Sequence, residues 1–406
     1  MDPQGQDRAH RRGLLPLHAE GVRPGARVHA GGHGGHGDRR GARPHGGERV
    51  TPPVFRRILI VKLSALGDVA HALPVIDFLG RVAPGAEIDW VVDRRFAGLL
   101  DGNPRLRRVV ALDLKRWKRE WNAPAARREA SAGVAHLREG DYEVAFDLQG
   151  NSKSGVITRL SGAPLRYGFD RNGAREAPNL LFTNRKVALR PGDRHISQKL
   201  LRIVSAPFGV EFDLSALRSE IASTEAQARR AAQVVGEIFP SSSPLVVVHA
   251  GTTWHTKKMD PGFWAEALRG LHRCYPRMGA FLSWGSEEER IEAERIRGGA
   301  GGRVELLPKL SLGELAAVYR ICGHLMAPDT GPLHVAAAAG AKTVSVFRVT
   351  DGDRNAPFGP RHRFLQAPMP CTACLRKRCA RDEECRRSIP AEAVAEAMAE
   401  LIGKPA

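Results

Sequence analysis

The sequence predicts an α/β protein of two similar doubly wound domains that face each other across a cleft. Three observations predict this. Short, continuously apolar runs such as Ile58-Leu59-Ile60-Val61 and Leu245-Val246-Val247-Val248 read as strands buried on both faces. Amphipathic stretches of helical period alternate with such runs, which calls for parallel sheets with right-handed crossovers. The alternation occurs once in each half of a 406-residue chain, too long for one ordinary core.

The first folded half spans residues 54–215. Its first strand, 58–61, runs into Lys62-Leu63-Ser64-Ala65-Leu66-Gly67-Asp68-Val69-Ala70-His71-Ala72-Leu73-Pro74, where small residues and a Gly open a helix expected over 68–82. In an open α/β sheet, ligands sit outside the carboxyl ends of the strands, where this loop lies. Further strands are expected at 87–92, 109–112, 144–148 and 165–169, and helices at 96–100, 125–138 and 195–207. Residues 115–121 (Lys-Arg-Trp-Lys-Arg-Glu-Trp) read as a basic loop, and the fourth strand ends in the polar Gln149-Gly150-Asn151-Ser152-Lys153-Ser154.

The second half, 222–389, repeats the pattern. A helix at 225–239 precedes the strand 245–248, which ends in His249-Ala250-Gly251-Thr252-Thr253 and a loop with Lys257 and Lys258. A helix at 263–275, a strand at 280–282 ending in Trp284-Gly285-Ser286, and a helix at 287–297 follow. Ser311 with Glu314 three residues on is a capping box for a helix reaching about 321. The strand 325–327 then leads through Asp329-Thr330-Gly331 into a helix at 332–339, and 343–347 is the last clear strand. The terminal segment 390–406 carries an amphipathic helix over 391–402.

Residues 1–53, rich in Gly, Arg and His, have little to bury. They are expected to be a disordered or non-native extension, with the natural start at Val50 read from a GTG codon. Detection of residues 1–49 in the native protein by mass spectrometry would defeat that expectation.

Net charge is +18, and residues 51–220 hold 28 basic against 19 acidic residues, a net of +9. A basic surface favours anionic partners: nucleic acid, anionic lipid or phosphorylated sugar. No run reaches the roughly 18 apolar residues of a membrane-spanning helix. Leu14-Leu15-Pro16-Leu17 is too short and Pro-broken for a secretory signal. A cytoplasmic protein is expected.

Backbone N–H groups at a helix N-terminus, with a Gly permitting close approach, form a pyrophosphate site. Asp329-Thr330-Gly331 fits this, although an Asp-capped helix is the plain alternative. Lys257 supplies the positive charge a phosphate needs, and Thr252 and Thr253 supply hydroxyls. Glu289 is suited to accept from ribose hydroxyls, or is a solvated helix charge. Across the cleft, Asp68 is the carboxylate at the end of the first strand. Transfer of a sugar to an alcohol needs a base for the hydroxyl proton and positive charge for a diphosphate leaving group. Asp68 with Lys257 and the 329–334 loop fits that division. Lys115, Arg116, Lys118, Arg119, Lys153, Arg171 and Arg175 extend a basic edge, and the indoles of Trp117 and Trp121 are suited to sugar rings or a membrane interface. A solvated basic loop is the alternative.

Four of the six cysteines form Cys371-x2-Cys374-x4-Cys379-x5-Cys385. The spacing suits a small structural zinc site, and less well an iron–sulfur site. Reduced thiols in a surface loop are the alternative, since disulfides are disfavoured in the cytoplasm.

The stretch 60–74 resembles the opening of the bacterial ADP-heptose:lipopolysaccharide heptosyltransferases, the family 9 glycosyltransferases. So do Asp147-Leu148-Gln149-Gly150, Ala174-Arg175-Glu176, Trp284-Gly285-Ser286 and Pro328-Asp329-Thr330-Gly331-Pro332-Leu333-His334. The resemblance covers about residues 56–402, and Arg116-Trp117-Lys118-Arg119-Glu120-Trp121 is most similar to the heptosyltransferase I branch. It implies a GT-B architecture, ADP-heptose as donor, a Kdo-lipid A acceptor and inversion at the anomeric carbon. It implies no metal for catalysis. A monomer that binds no nucleic acid is expected, held peripherally through its basic first domain at the inner face of the inner membrane because its acceptor is a lipid. Asp68 matches the general base, Lys257 the lysine near the donor phosphates, and Thr252, Thr253, Glu289, Asp329, Thr330, Gly331 and His334 match donor contacts. The 115–119 loop and Lys153 match regions facing the acceptor. The last helix is expected to pack back on the first domain. Three features depart from the pattern: Met259 stands where an aromatic residue is common, Arg348-Val349-Thr350 replaces a more usual Gly-Pro-Thr, and the cysteine cluster is absent from the enteric heptosyltransferase I pattern.

Two other functions are weighed. One is a family relative with another nucleotide sugar or a later core acceptor. The other is a zinc-containing nucleic-acid-binding protein. Such a module places aromatic stacking residues around its cysteines, yet 361–387 has no aromatic residue besides Phe364 and the imidazole of His362.

Overall fold

The computed structural model describes residues 53–403; the extension expected over 1–53 lies, but for Pro53, outside the described residues. Each half forms a six-stranded sheet. The first comprises β1 (Arg57–Val61), β2 (Glu87–Asp93), β3 (Leu106–Leu112), β4 (Val144–Asp147), β5 (Leu165–Phe169) and β6 (Arg185–Val187), in the order β3-β2-β1-β4-β5-β6. The second comprises β7 (Leu245–Val248), β8 (Gly279–Leu282), β9 (Arg303–Leu306), β10 (His324–Pro328), β11 (Lys342–Phe347) and β12 (His362–Gln366), in the order β12-β11-β10-β7-β8-β9. Every pairing is parallel. The strand order reverses its progression between β1 and β4 in one sheet and between β7 and β10 in the other. Those are the switch points at which open sheets bind ligands.

The helices of the first half are α1 (Leu66–Ala72), α2 (Pro74–Val82), α3 (Leu114–Arg119), α4 (Pro124–Arg138), α5 (Ser152–Leu160) and α6 (Ile196–Ser205). The single helix expected over 68–82 is therefore two, divided at Leu73 because Pro74, without an N–H, starts a helix better than it continues one. The expected basic loop is partly helical: Asp113 caps α3 by accepting from the N–H of Arg116. The short strands β6, β9 and β12 escape the sequence because their burial is mixed rather than continuously apolar.

The second half adds α7 (Glu225–Ile238), α8 (Pro261–Cys274), α9 (Glu287–Ala300), α10 (Leu312–Cys322), α11 (Gly331–Ala338), α12 (Gly352–Asn355), α13 (Asp382–Arg387) and α14 (Ala391–Ile402). The expectation that the last helix returns to the first domain is corrected. Val394, Ala395, Met398 and Leu401 of α14 join the apolar cluster of the second sheet with Trp264 and Leu268 of α8. Tyr275 donates its hydroxyl to the carbonyl of Ala399 (3.1 Å), and Lys342 donates to that of Leu401 (2.5 Å), so the last turn of the helix is fixed as well.

The halves meet where α1 packs on α11. Gly67 and Gly331 stand at the contact: a Cβ on Gly67 would lie 2.8 Å from the His334 ring, and one on Gly331 2.9 Å from Leu66. One buried apolar cluster runs from Ile60, Trp90 and Val204 in the first half to Val235, Phe281 and Phe347 in the second.

Candidate active site

The first switch point is built by a buried carboxylate. Asp147, at the end of β4, accepts from the N–H groups of Gln149 and Gly150 (both 3.0 Å), the Ser154 hydroxyl (2.9 Å) and the Asn179 amide (2.6 Å). Burial raises its pKa, against the pull of these donors. The turn needs Gly150 at φ +71°, and Gln149 then accepts from the N–H of Ser64 (3.2 Å) in the loop after β1. Lys62, buried beneath, donates to the carbonyl of Leu148 (2.8 Å), and burial lowers its pKa. On this platform stands Asp68, partly exposed, accepting from the N–H of Ala65 (3.2 Å) with the Arg175 guanidinium 3.6 Å away.

At the second switch point, Asp329 at the end of β10 meets Lys257 from the loop after β7 at 2.7 Å. It also accepts from the Thr350 hydroxyl (2.7 Å) and lies 3.6 Å from the ring of His334. Burial works against its ionisation, but His334 and Lys257 prevail and hold its carboxyl well below the usual carboxylate range.

Both groups open onto one cleft of about 740 Å³, ample for a nucleotide sugar. Asp68 and Arg175 line it from the first half; Lys257, Asp329, Thr330, Gly331 and His334 line it from the second. Trp254, Asp351 and Arg354 also line it and were not singled out from the sequence. Arg354 lies in a polar stretch after β11 that carries no motif of its own.

Other expected site residues stand elsewhere. Thr252 donates to the carbonyl of Asp329 (3.3 Å) and Thr253 is exposed; neither is on the cleft wall. The carboxylate of Glu289 accepts from the N–H of Gly285 (2.6 Å) rather than facing the cleft. Lys115, Lys118 and Lys153 gather with Arg95 around a second, cationic pocket that includes Ser64, next in sequence to the cleft residue Ala65. Arg116 is held by Glu120 (3.0 Å) and Glu129 (2.9 Å), and Arg119 by Glu120 (2.6 Å), so these two cations are spent within their own helix pair. Trp117 packs against Gly133 of α4, while Trp121 is 73% exposed.

The four clustered cysteines line one small cavity with Arg348 and Asp382. Among the described residues, no three His, Cys, Asp or Glu side chains are grouped as a metal ion requires. Ala373 and Leu375, from the same segment, reach the wall of the main cleft.

Two facing switch points, with a carboxylate on one and a lysine and a helix N-terminus on the other, are the arrangement of a glycosyltransferase with two Rossmann-like halves. Residues 133–384 match the model of glycosyltransferase family 9 (heptosyltransferase), and the chain belongs to this family. It is 31% identical to lipopolysaccharide heptosyltransferase 1 of Pseudomonas aeruginosa over 80% of this chain and 87% of that protein. It is 29% identical to the Escherichia coli protein of the same name over 77% and 94%. The structure of the E. coli heptosyltransferase WaaC with ADP is similar with a TM-score of 0.70 at 26% identity, covering 85% of this chain and 99% of that one. The structure of WaaC with ADP-2-deoxy-2-fluoro heptose gives 0.64 at 28%, covering 78% and 96%.

Proposed function

We propose that this chain transfers a heptose from ADP-heptose to a Kdo residue of the lipopolysaccharide inner core, with inversion at the anomeric carbon. The observation that carries the reading is that Asp68 and the Lys257–Asp329 pair line the same cleft from opposite halves. The names of the relatives and the ADP-bearing WaaC structures support the donor. In this reading Asp68 takes the proton of the acceptor hydroxyl as its oxygen bonds to the anomeric carbon. The bond from that carbon to the β-phosphate oxygen breaks, and the electron pair leaves on ADP. Lys257 and the N-terminal turn of α11 meet the new charge. Arg175 and the pocket of Lys115, Lys118 and Lys153 take the anionic groups of the acceptor.

The enzyme works at the inner face of the inner membrane, held peripherally by its basic first half. The net charge of +9 over residues 51–220 supports this, and no helix among the described residues is long and apolar enough to cross a membrane. The test is incubation of the purified chain with Kdo-lipid A and a panel of ADP-, UDP- and GDP-sugars, read by mass spectrometry of the lipid. Heptose addition from ADP-heptose alone is expected; transfer only from another donor overturns the reading.

A further inference from the structure

The three departures from the family pattern meet in space beside the donor lysine. Arg348 follows directly after β11, and its side chain is fully enclosed. One Nη donates to the carbonyl of Lys258 at 2.6 Å; the other donates to the Asp382 carboxylate at 2.7 Å and to that residue's carbonyl. Lys258 is the neighbour of Lys257, and the buried Met259 comes next. Asp382 opens α13, the helix that carries Cys385.

Further ties run the same way. The Thr256 hydroxyl donates to the carbonyl of Arg376 (2.8 Å), Arg386 bonds Asp260, and the Lys377 ammonium lies 4.9 Å from the centre of the Trp254 ring. The loop that carries Lys257 has only one short 3-10 turn, His255–Lys257, of its own. Its position is therefore set by what grips it: Asp329 holds the Lys257 ammonium and Glu292 that of Lys258 (2.8 Å), while the backbone of the turn is held by the cysteine segment with Arg348 at the centre. A planar guanidinium reaches a carbonyl and a carboxylate at once, which an ammonium or an apolar side chain does not.

We propose that Arg348 is a positioning residue for the donor diphosphate. It bolts the Lys257–Lys258 turn to the cysteine segment and so fixes how far the Lys257 ammonium extends into the cleft. The proposal rests on the reading of that cleft as an ADP-sugar site.

The experiment compares ADP and adenosine binding by calorimetry in the full chain, in wild type and in Arg348→Met, with circular dichroism to check folding. ADP affinity is expected to fall tenfold or more and adenosine affinity to stay within twofold. Equal losses for both ligands, as a merely structural role would give, or no loss, overturn the proposal. If Arg348→Met does not fold, Thr256→Val loosens the same grip from the loop side. A threefold drop in the preference for ADP supports the proposal, and an unchanged preference overturns it. A wild-type chain that binds ADP no better than adenosine removes the diphosphate reading and the proposal with it. A wild-type preference for ADP that survives in the variants overturns the proposal alone.

Discussion

The ammonium of Lys257 and the carboxylate of Asp329 stand 2.7 Å apart and join the ends of two neighbouring strands, β7 and β10. The pair does two jobs: it neutralises a buried carboxylate and holds an ammonium at the cleft. Lys257→Ala is expected to raise the donor KM and lower kcat, with a combined loss of about 10²–10³ in kcat/KM if the lysine meets charge on the leaving group. Steady-state kinetics with varied donor checks this, and unchanged constants would remove its phosphate role.

Asp68 has the Arg175 guanidinium 3.6 Å away and a face open to the cleft. Asp68→Asn keeps its shape and removes its basicity. Turnover should fall by about 10²–10⁴, the contribution of general-base catalysis. ADP affinity should hold, because the carboxylate lines the cleft from the first half, opposite Lys257 and Asp329. Substantial remaining turnover in a single-turnover assay would rule out Asp68 as the base.

Stability should depend on pH through buried histidines. His195 accepts the N–H of Ser197 at Nδ1 (3.2 Å), so Nε2 carries the proton given to the carbonyl of Ala356 (2.9 Å). The ring is thus neutral, and burial holds its pKa down to about 4. Burial, then His334 and His195, push His71 in the same direction. In the unfolded chain a histidine titrates near pH ~6.5. Between that value and about 4, the unfolded state therefore binds a proton that the folded state refuses. Stability falls as pH falls through this window, by up to about 1.4 kcal/mol per pH unit for each such histidine. The melting temperature should drop between pH 7 and pH 5, and His195→Gln should make the drop shallower; an equal drop in the variant would refute the assignment.

Gly331→Ala places a methyl 2.9 Å from Leu66. Overpacking of this kind costs about 1–3 kcal/mol, visible as a shift in urea midpoint. Leu66→Gly in the same chain, which removes the Cβ as well as the Cδ of Leu66 that the new methyl meets, should recover part of the loss. Additive losses in the double variant would place the strain elsewhere.

Much of this was legible in the sequence because strands buried on both faces leave uninterrupted apolar runs, as at 58–61 and 245–248. The strand-end loops beside them carry Asp68, Lys257 and Asp329, all found on the cleft. Edge strands such as β12, with exposed Arg363 and Phe364, leave no such run. The split of α1 from α2 was signalled by Pro74, but a helix period continues across it. Glu289 and Thr253 were placed by spacing from a glycine or a strand end, and spacing does not tell which way a side chain turns. Arg354 reaches the cleft from a short helix whose position depends on the fold of the whole second half. The course of α14 was expected from resemblance; its apolar face finds its partner on α8 within its own half.

The apolar cluster that passes from the first sheet to the second ties the halves together, while each half also keeps a buried cluster of its own, around Trp264 and Leu268 in the second and around Leu59 and Val91 in the first. Parting the halves would hydrate the apolar contact of α1 with α11, Leu66 included, at about 25 cal/mol for each Å² exposed. The two sheets, alike in topology and each resembling a free-standing nucleotide-binding unit, are thereby coupled. So coupled, the two halves should melt in a single transition on heating.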